Sequence, residues 1–151
     1  MKRGLLLKCI AVPLPVGAMA ALLTGGGMEA FAQMEKPLLS PPGWLFPIVW
    51  TVLYTLMGIS SYLVIASGAE LPKIYDFQLA VNFLWPTFFF NLEWYFFSFL
   101  WLILLWILVF IMILKFREID KRAAWLNVPD LNWLTFAGYL NFAIWINSMI
   151  E

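Results

Sequence analysis

Apolar positions in this chain do not alternate with polar ones. They form long unbroken runs separated by short polar breaks. Runs of this length predict helices that cross a membrane, since a spanning helix needs roughly 20 mostly apolar residues and a strand pattern would show period two. Five spans follow, over about 5–23, 44–66, 77–92, 95–114 and 131–150. The second and fourth carry no charge. Only Asn91-Leu92-Glu93-Trp94 separates the third from the fourth, which predicts a tight helical hairpin. The expected fold is an all-α integral membrane protein, a five-transmembrane-helix bundle built as one domain over residues 1–151.

Composition sharpens this picture. The chain is 64% hydrophobic and 12% charged, where soluble domains carry about 25% charged residues, so a lipid environment is required to accommodate the apolar surface. Nine basic and nine acidic residues cancel, leaving no electrostatic footprint for nucleic acid. Histidine is absent and Cys9 is the single cysteine, which removes zinc sites, cysteine-held iron–sulfur clusters and an intrachain disulfide. No metal site is expected.

The start of the chain supports two readings. Met1-Lys2-Arg3, an apolar stretch and Ala30-Phe31-Ala32 resemble a secretory signal. Against this, the apolar stretch ends near Leu23, before Thr24-Gly25-Gly26-Gly27, and contains Pro13 and Pro15; a retained, kinked first helix is expected. With five spans, one side of the membrane holds Lys2, Arg3, Lys8, Lys73, Lys115, Arg117, Lys121 and Arg122, and the other holds Lys36. The positive-inside rule then puts the N-terminus in the cytoplasm of a bacterial cell membrane, with the basic cluster of the fourth loop at the lipid headgroups.

Nine tryptophans call for an explanation. Trp44, Trp94 and Trp125 lie near span ends, as an interfacial aromatic belt predicts. Trp50, Trp85, Trp101, Trp106 and Trp133 sit deeper. Trp50, Tyr54, Met57 and Ser61 share one helical face, as do Gln78, Asn82, Trp85 and Phe89, and Trp133, Ala137, Asn141 and Ile144. Lipid offers no partner to an amide, so Asn82 and Asn141 should turn inward, bringing tryptophan with them. Each asparagine alone reads as interhelical glue. Three coincident faces favour a central cavity lined by aromatic rings and a few hydrogen-bonding groups, suited to a flat, largely apolar ligand. Loop 24–43, glycine-rich at one end and proline-rich at the other, reads either as a connector or as a lid over that cavity.

Several segments resemble a known family. Lys36-Pro37, Pro41-Pro42-Gly43-Trp44, the run from Phe46-Pro47 through Trp50 to Tyr54, and Met57-Gly58 are similar to the signature of the tryptophan-rich sensory protein, or translocator protein (TspO/MBR), family. Gln78-Leu79-Ala80-Val81-Asn82-Phe83-Leu84-Trp85 resembles its third-helix motif, and the run from Trp133 through Ala137 and Asn141 to Trp145 its fifth. The resemblance implies a five-helix receptor-like protein that binds tetrapyrroles such as protoporphyrin IX or haem, and in some members sterols or synthetic aromatic ligands, under a first-loop lid. It implies a ligand-binding set of Pro42, Trp50, Asn82, Trp85, Trp133, Ala137 and Leu140, to which the helical face shared with Trp50 adds Tyr54. It also implies, for some members, light- and oxygen-dependent porphyrin breakdown, for which Trp50 and Trp133 are the candidate catalytic residues.

No cofactor is required on this reading; porphyrin or haem is the ligand. Without histidine, recognition should rest on stacking and dispersion, with metal-free porphyrin bound at least as well as haem. Transport of porphyrins or sterols is a weaker reading, since no inverted repeat and no charged relay within the spans is evident. Gly17 and Ala21 form a small-xxx-small pair that serves either a homodimer or packing within one chain.

Departures from the family pattern are specific. Leu39 stands where a loop tryptophan is usual, Trp101 where an acidic residue is common, and Pro129-Asp130 where Pro-Tyr opens the fifth helix. Asp130 is expected to cap that helix or to pair with Arg122 or Lys121. No basic residue follows Tyr139, which argues against the sterol-recognition pattern expected there.

Overall fold

The computed structural model describes residues 3–25, 27 and 40–150. Its elements are α1 (Arg3–Ala11), α2 (Pro13–Leu23), α3 (Leu45–Ala66), α4 (Lys73–Pro86), a π-helical turn (Thr87–Asn91), α5 (Tyr95–Ile119), α6 (Lys121–Leu126) and α7 (Val128–Ile150). They make five rods: α1 with α2, α3, α4 with the π turn, α5, and α7. The fold is thus an all-α transmembrane bundle. Three rods, Arg3–Leu23, Leu45–Ala66 and Tyr95–Ile119, are long and apolar enough to cross a membrane on those grounds alone. The other two carry buried amides and depend on their neighbours for partners.

Local sequence explains the breaks. Pro13 cannot donate a backbone hydrogen bond, and the first rod is interrupted at Val12 with Pro13 opening α2. Pro86 likewise deprives the Asn82 carbonyl of its α-helical donor. The chain then widens into the π turn, closed by Leu92 N–H donating to the Thr87 carbonyl at 3.0 Å. The hairpin turns at Glu93, the one described non-glycine residue with positive φ (55°). Asn91 Nδ2 donates to the Leu23 carbonyl at 2.7 Å, tying this turn to the end of α2.

Packing follows from small residues. A Cβ on Gly58 would lie 2.8 Å from Ile10 Cα, so α1 crosses α3 with backbones nearly touching. A Cβ on Gly17 would lie 2.6 Å from Tyr54 Cδ2; this glycine accommodates a ring of its own chain. α5 lies between α4 and α7, and its outer face presents Leu100, Ile103, Ile107 and Phe110 to lipid. Trp101 joins α5 to α4 by donating to the Val81 carbonyl (2.8 Å), and Trp106 joins α5 to α7 by donating to Thr135 Oγ1 (2.9 Å). These two deep tryptophans are fastenings between helices. Trp44, Trp94 and Trp125 are exposed, as a belt requires.

At the turn between α5 and α6, the Asp120 side chain accepts from the Arg122 backbone N–H at 2.8 Å, capping α6, and its Oδ2 pairs with Arg122 Nη2 at 2.9 Å. The Arg122 hydrogen bonds hold the Asp120 carboxyl below its ordinary range. This corrects the expectation for Asp130. Arg122 is held by its near neighbour two residues away, and Asp130 turns into the bundle, 2% exposed. Most of loop 24–43, with Leu39, lies outside the described residues, and so does the choice between connector and lid.

Candidate functional site

α3 and α7 do not pack closely along their length; large side chains fill the space between them. The one-face spacing on α3 brings Trp50, Tyr54 and Met57 to this space, with Leu53 beside them. α4 contributes Asn82 and Trp85, α5 contributes Leu102 and Leu105, and α7 contributes Asp130, Trp133, Leu134 and Ala137. Four helices therefore converge on one interior site. Their side chains leave about 10 Å³ between them, room for a single water.

Aromatic rings close the site around Phe46. Its centroid lies 6.1 Å from Trp50 and 5.6 Å from Trp133, the latter edge to face. Trp85 stacks on Phe89 at 5.0 Å with planes 14° apart. Its indole N–H donates to Asn141 Oδ1 (3.1 Å), and Asn141 Nδ2 donates to the Tyr95 carbonyl (2.7 Å). Asn141 is therefore fully used in joining α4, α5 and α7. Asn82 is half-buried and its side chain has no hydrogen-bond partner among the described residues, although it lines the cavity.

Of the residues singled out from the sequence, the structure brings together Trp50, Tyr54, Asn82, Trp85, Trp133 and Ala137. Leu140 is fully buried but packs in the core and does not line the cavity. Pro42 is exposed; its carbonyl accepts from Leu45 N–H (3.0 Å) in the turn that opens α3, away from the lining. Leu53, Leu102, Leu105 and Leu134 join the lining with no sequence signal beyond being apolar. Asp130 joins it too, and its Oδ2 has no hydrogen-bond partner among the described residues. A lone carboxylate beside an apolar run was visible in the sequence, but its direction was not.

A polar layer adjoins the cavity at Met57. Gln78 Nε2 donates to Met57 Sδ at 3.7 Å, and Asn127 Nδ2 donates to Ser60 Oγ at 2.8 Å. Gln78 Oε1 and Asn127 Oδ1 are left without donors among the described residues. The fully buried atoms left without a partner in this region, Asp130 Oδ2, Gln78 Oε1 and Asn127 Oδ1, are acceptors, and the unengaged Asn82 amide adds a donor beside them.

Five helical rods, deep tryptophans and an interior site between α3 and α7 define a multi-pass integral membrane protein with an aromatic centre. The chain belongs to the TspO/MBR family, whose model matches residues 9–146. It is 34% identical over 143 residues to the tryptophan-rich protein TspO of Chlorobaculum tepidum, covering 90% of each chain. Identity to the protein CrtK of Rhodobacter capsulatus is 38% over 135 residues, 85% of this chain and 83% of that one. The translocator protein of Ovis aries is 33% identical over 142 residues, 89% of this chain and 84% of that one.

Proposed function

We propose that this protein is a membrane receptor that takes a tetrapyrrole, protoporphyrin IX or haem, into the cavity between α3 and α7, and serves porphyrin homeostasis or stress sensing. The observation that carries the reading is the convergence of Trp50, Tyr54, Trp85 and Trp133 from three helices on one interior site, with Asn82 unengaged among them. Indole and phenol faces offer large apolar area to a flat macrocycle. Sites for ligands of this size have volumes of ~300–1,000 Å³, so admission requires the rings around Phe46 to swing aside.

The test is a tryptophan-fluorescence titration with protoporphyrin IX in an uncharged detergent, run beside an Asn82→Leu, Trp133→Ala variant. Saturable quenching in the parent, weakened about tenfold or more in a variant that stays helical, is the expected result. Equal quenching in both would mean partition into the micelle and would overturn the reading. Illuminating the complex extends the test. A new absorbance band that forms in the parent and not in Trp133→Phe would make the protein a porphyrin-degrading catalyst as well as a receptor.

A further inference from the structure

Asp130 is the most unusual group in the molecule. It is 2% exposed, lies in the first turn of α7, and lines the central cavity with Trp50, Tyr54 and Trp133. Its Oδ2 has no hydrogen-bond partner and it joins no ion pair among the described residues; of the two nearby basic side chains in the sequence, Arg122 is held by Asp120 and Lys121 is exposed and makes no ion pair with it. An interior carboxyl with an unmatched oxygen is costly to bury, which points to a donor that arrives from outside. The helix N-terminus contributes modestly, but backbone dipoles do not satisfy the lone pairs of Oδ2.

The chemistry of the surroundings narrows what that group is. Indole and phenol faces attract cations, and a carboxylate among them makes an aromatic cage closed by an anion. The nearby orphans Gln78 Oε1 and Asn127 Oδ1 are acceptors as well, so the end of the interior around Asp130 calls for a donor, whereas the Asn82 amide at the α4 wall can both donate and accept. A carboxylate on the ligand would be repelled by the Asp130 carboxylate.

We propose that Asp130 makes the central cavity selective for flat aromatic ligands bearing a protonated amine, with the ammonium seated on Asp130 Oδ2 and the ring system among Trp50, Tyr54 and Trp133. The proposal rests on the reading that this cavity admits a flat aromatic ligand, and adds to it the polarity of the end that enters first. The ammonium supplies the donors that Oδ2 lacks, and the rings screen the ion pair from water. Propionate groups of a porphyrin would then lie away from Asp130.

Three probes of one shape test this: 9-(aminomethyl)anthracene, 9-(hydroxymethyl)anthracene and 9-anthracenecarboxylate. Each is titrated by tryptophan quenching against the full chain in dodecyl maltoside, with protoporphyrin IX measured in the same preparation. The parent should bind the amine about tenfold or more tightly than the alcohol, the low end for a charge-assisted hydrogen bond, and bind the carboxylate weakest. In Asp130→Asn, and in Asp130→Ser as a second variant, the amine-to-alcohol ratio should fall close to one. Because the ratio is read within one protein, the parent result stands even if a variant folds poorly. Equal affinity for amine and alcohol in the parent, or an amine preference that survives both variants, overturns the proposal. If porphyrin quenching remains saturable in that case, the receptor reading is untouched. If neither porphyrin nor any anthracene saturates, both readings fall together.

Discussion

Asn141 and Asp130 occupy the same face of α7, three turns and about 16 Å apart, and both are buried polar residues. Their surroundings treat them oppositely. Asn141 uses its oxygen on Trp85 and its nitrogen on the Tyr95 carbonyl, and so pins three helices at one level of the bundle. Asp130 leaves Oδ2 unmatched at the other level, where the side chains of α3 and α7 meet around a nearly filled cavity. A satisfied interior amide is structure, because removing it strands its partners. An unsatisfied interior acceptor does little for the fold, because nothing in the fold depends on it. One helix therefore carries a fastening at one end and a group available for recognition at the other.

The largest effect that this contrast predicts is at Asn141. Replacing it with leucine strands the Trp85 N–H in the interior and removes the tie to the Tyr95 carbonyl, which keeps only its bonds within α5, and should destabilise the bundle by about 2 kcal/mol in detergent denaturation followed by circular dichroism. A double-mutant cycle with Trp85→Phe should recover part of that loss; strict additivity would show that the two side chains are not coupled.

Asp120→Ala comes next, as a reference outside the interior. It removes the cap of α6 and should cost ~1 kcal/mol. The sign of its pH dependence follows from its lowered pKa. The stabilising contribution is complete above the unfolded value of about 4 and is lost as the pH falls through the folded value beneath it. An acid titration in which the Asp120→Ala difference persists unchanged down to pH 2 would contradict the capping role.

The smallest expected change in stability is at Asp130 itself. Asp130→Leu removes a buried carboxyl whose Oδ2 has no partner among the described residues, and should leave stability within about 1 kcal/mol of the parent or raise it. A loss as large as that at Asn141 would mean that Asp130 is a fastening after all and would erase the contrast between the two ends of α7.

Much of this was legible in the amino-acid order. Long apolar runs specify transmembrane helices because lipid cannot satisfy backbone groups, and the spans observed differ from those expected mainly at their ends. Pro72 starts α4 at Lys73, four residues before the apolar run at Phe77, since the first polar turn is helical outside the lipid as well. Trp50, Tyr54, Asn82, Trp85, Trp133 and Ala137 were legible because helical spacing places them on inward faces. Pro42 and Leu140, which the resemblance implies, do not line the cavity in this structure, and their positions depend on a loop's path and a helix's rotation, which are set by contacts distant in the chain.

What the order of residues determined by itself is the number and character of the helices, the family, and which faces turn inward; periodicity and lipid exclusion act locally and need no tertiary information. What only the tertiary structure decided is the use of each polar group. Trp101 and Trp106 became fastenings, Gly17 took the Tyr54 ring, and Asn141 was satisfied while Asn82 and Asp130 were not. The physical reason is that a hydrogen bond is a matter of which two groups meet within about 3 Å. Partners separated by 20 to 56 positions, as Trp101 is from Val81 and Trp85 from Asn141, meet only when the whole bundle has closed.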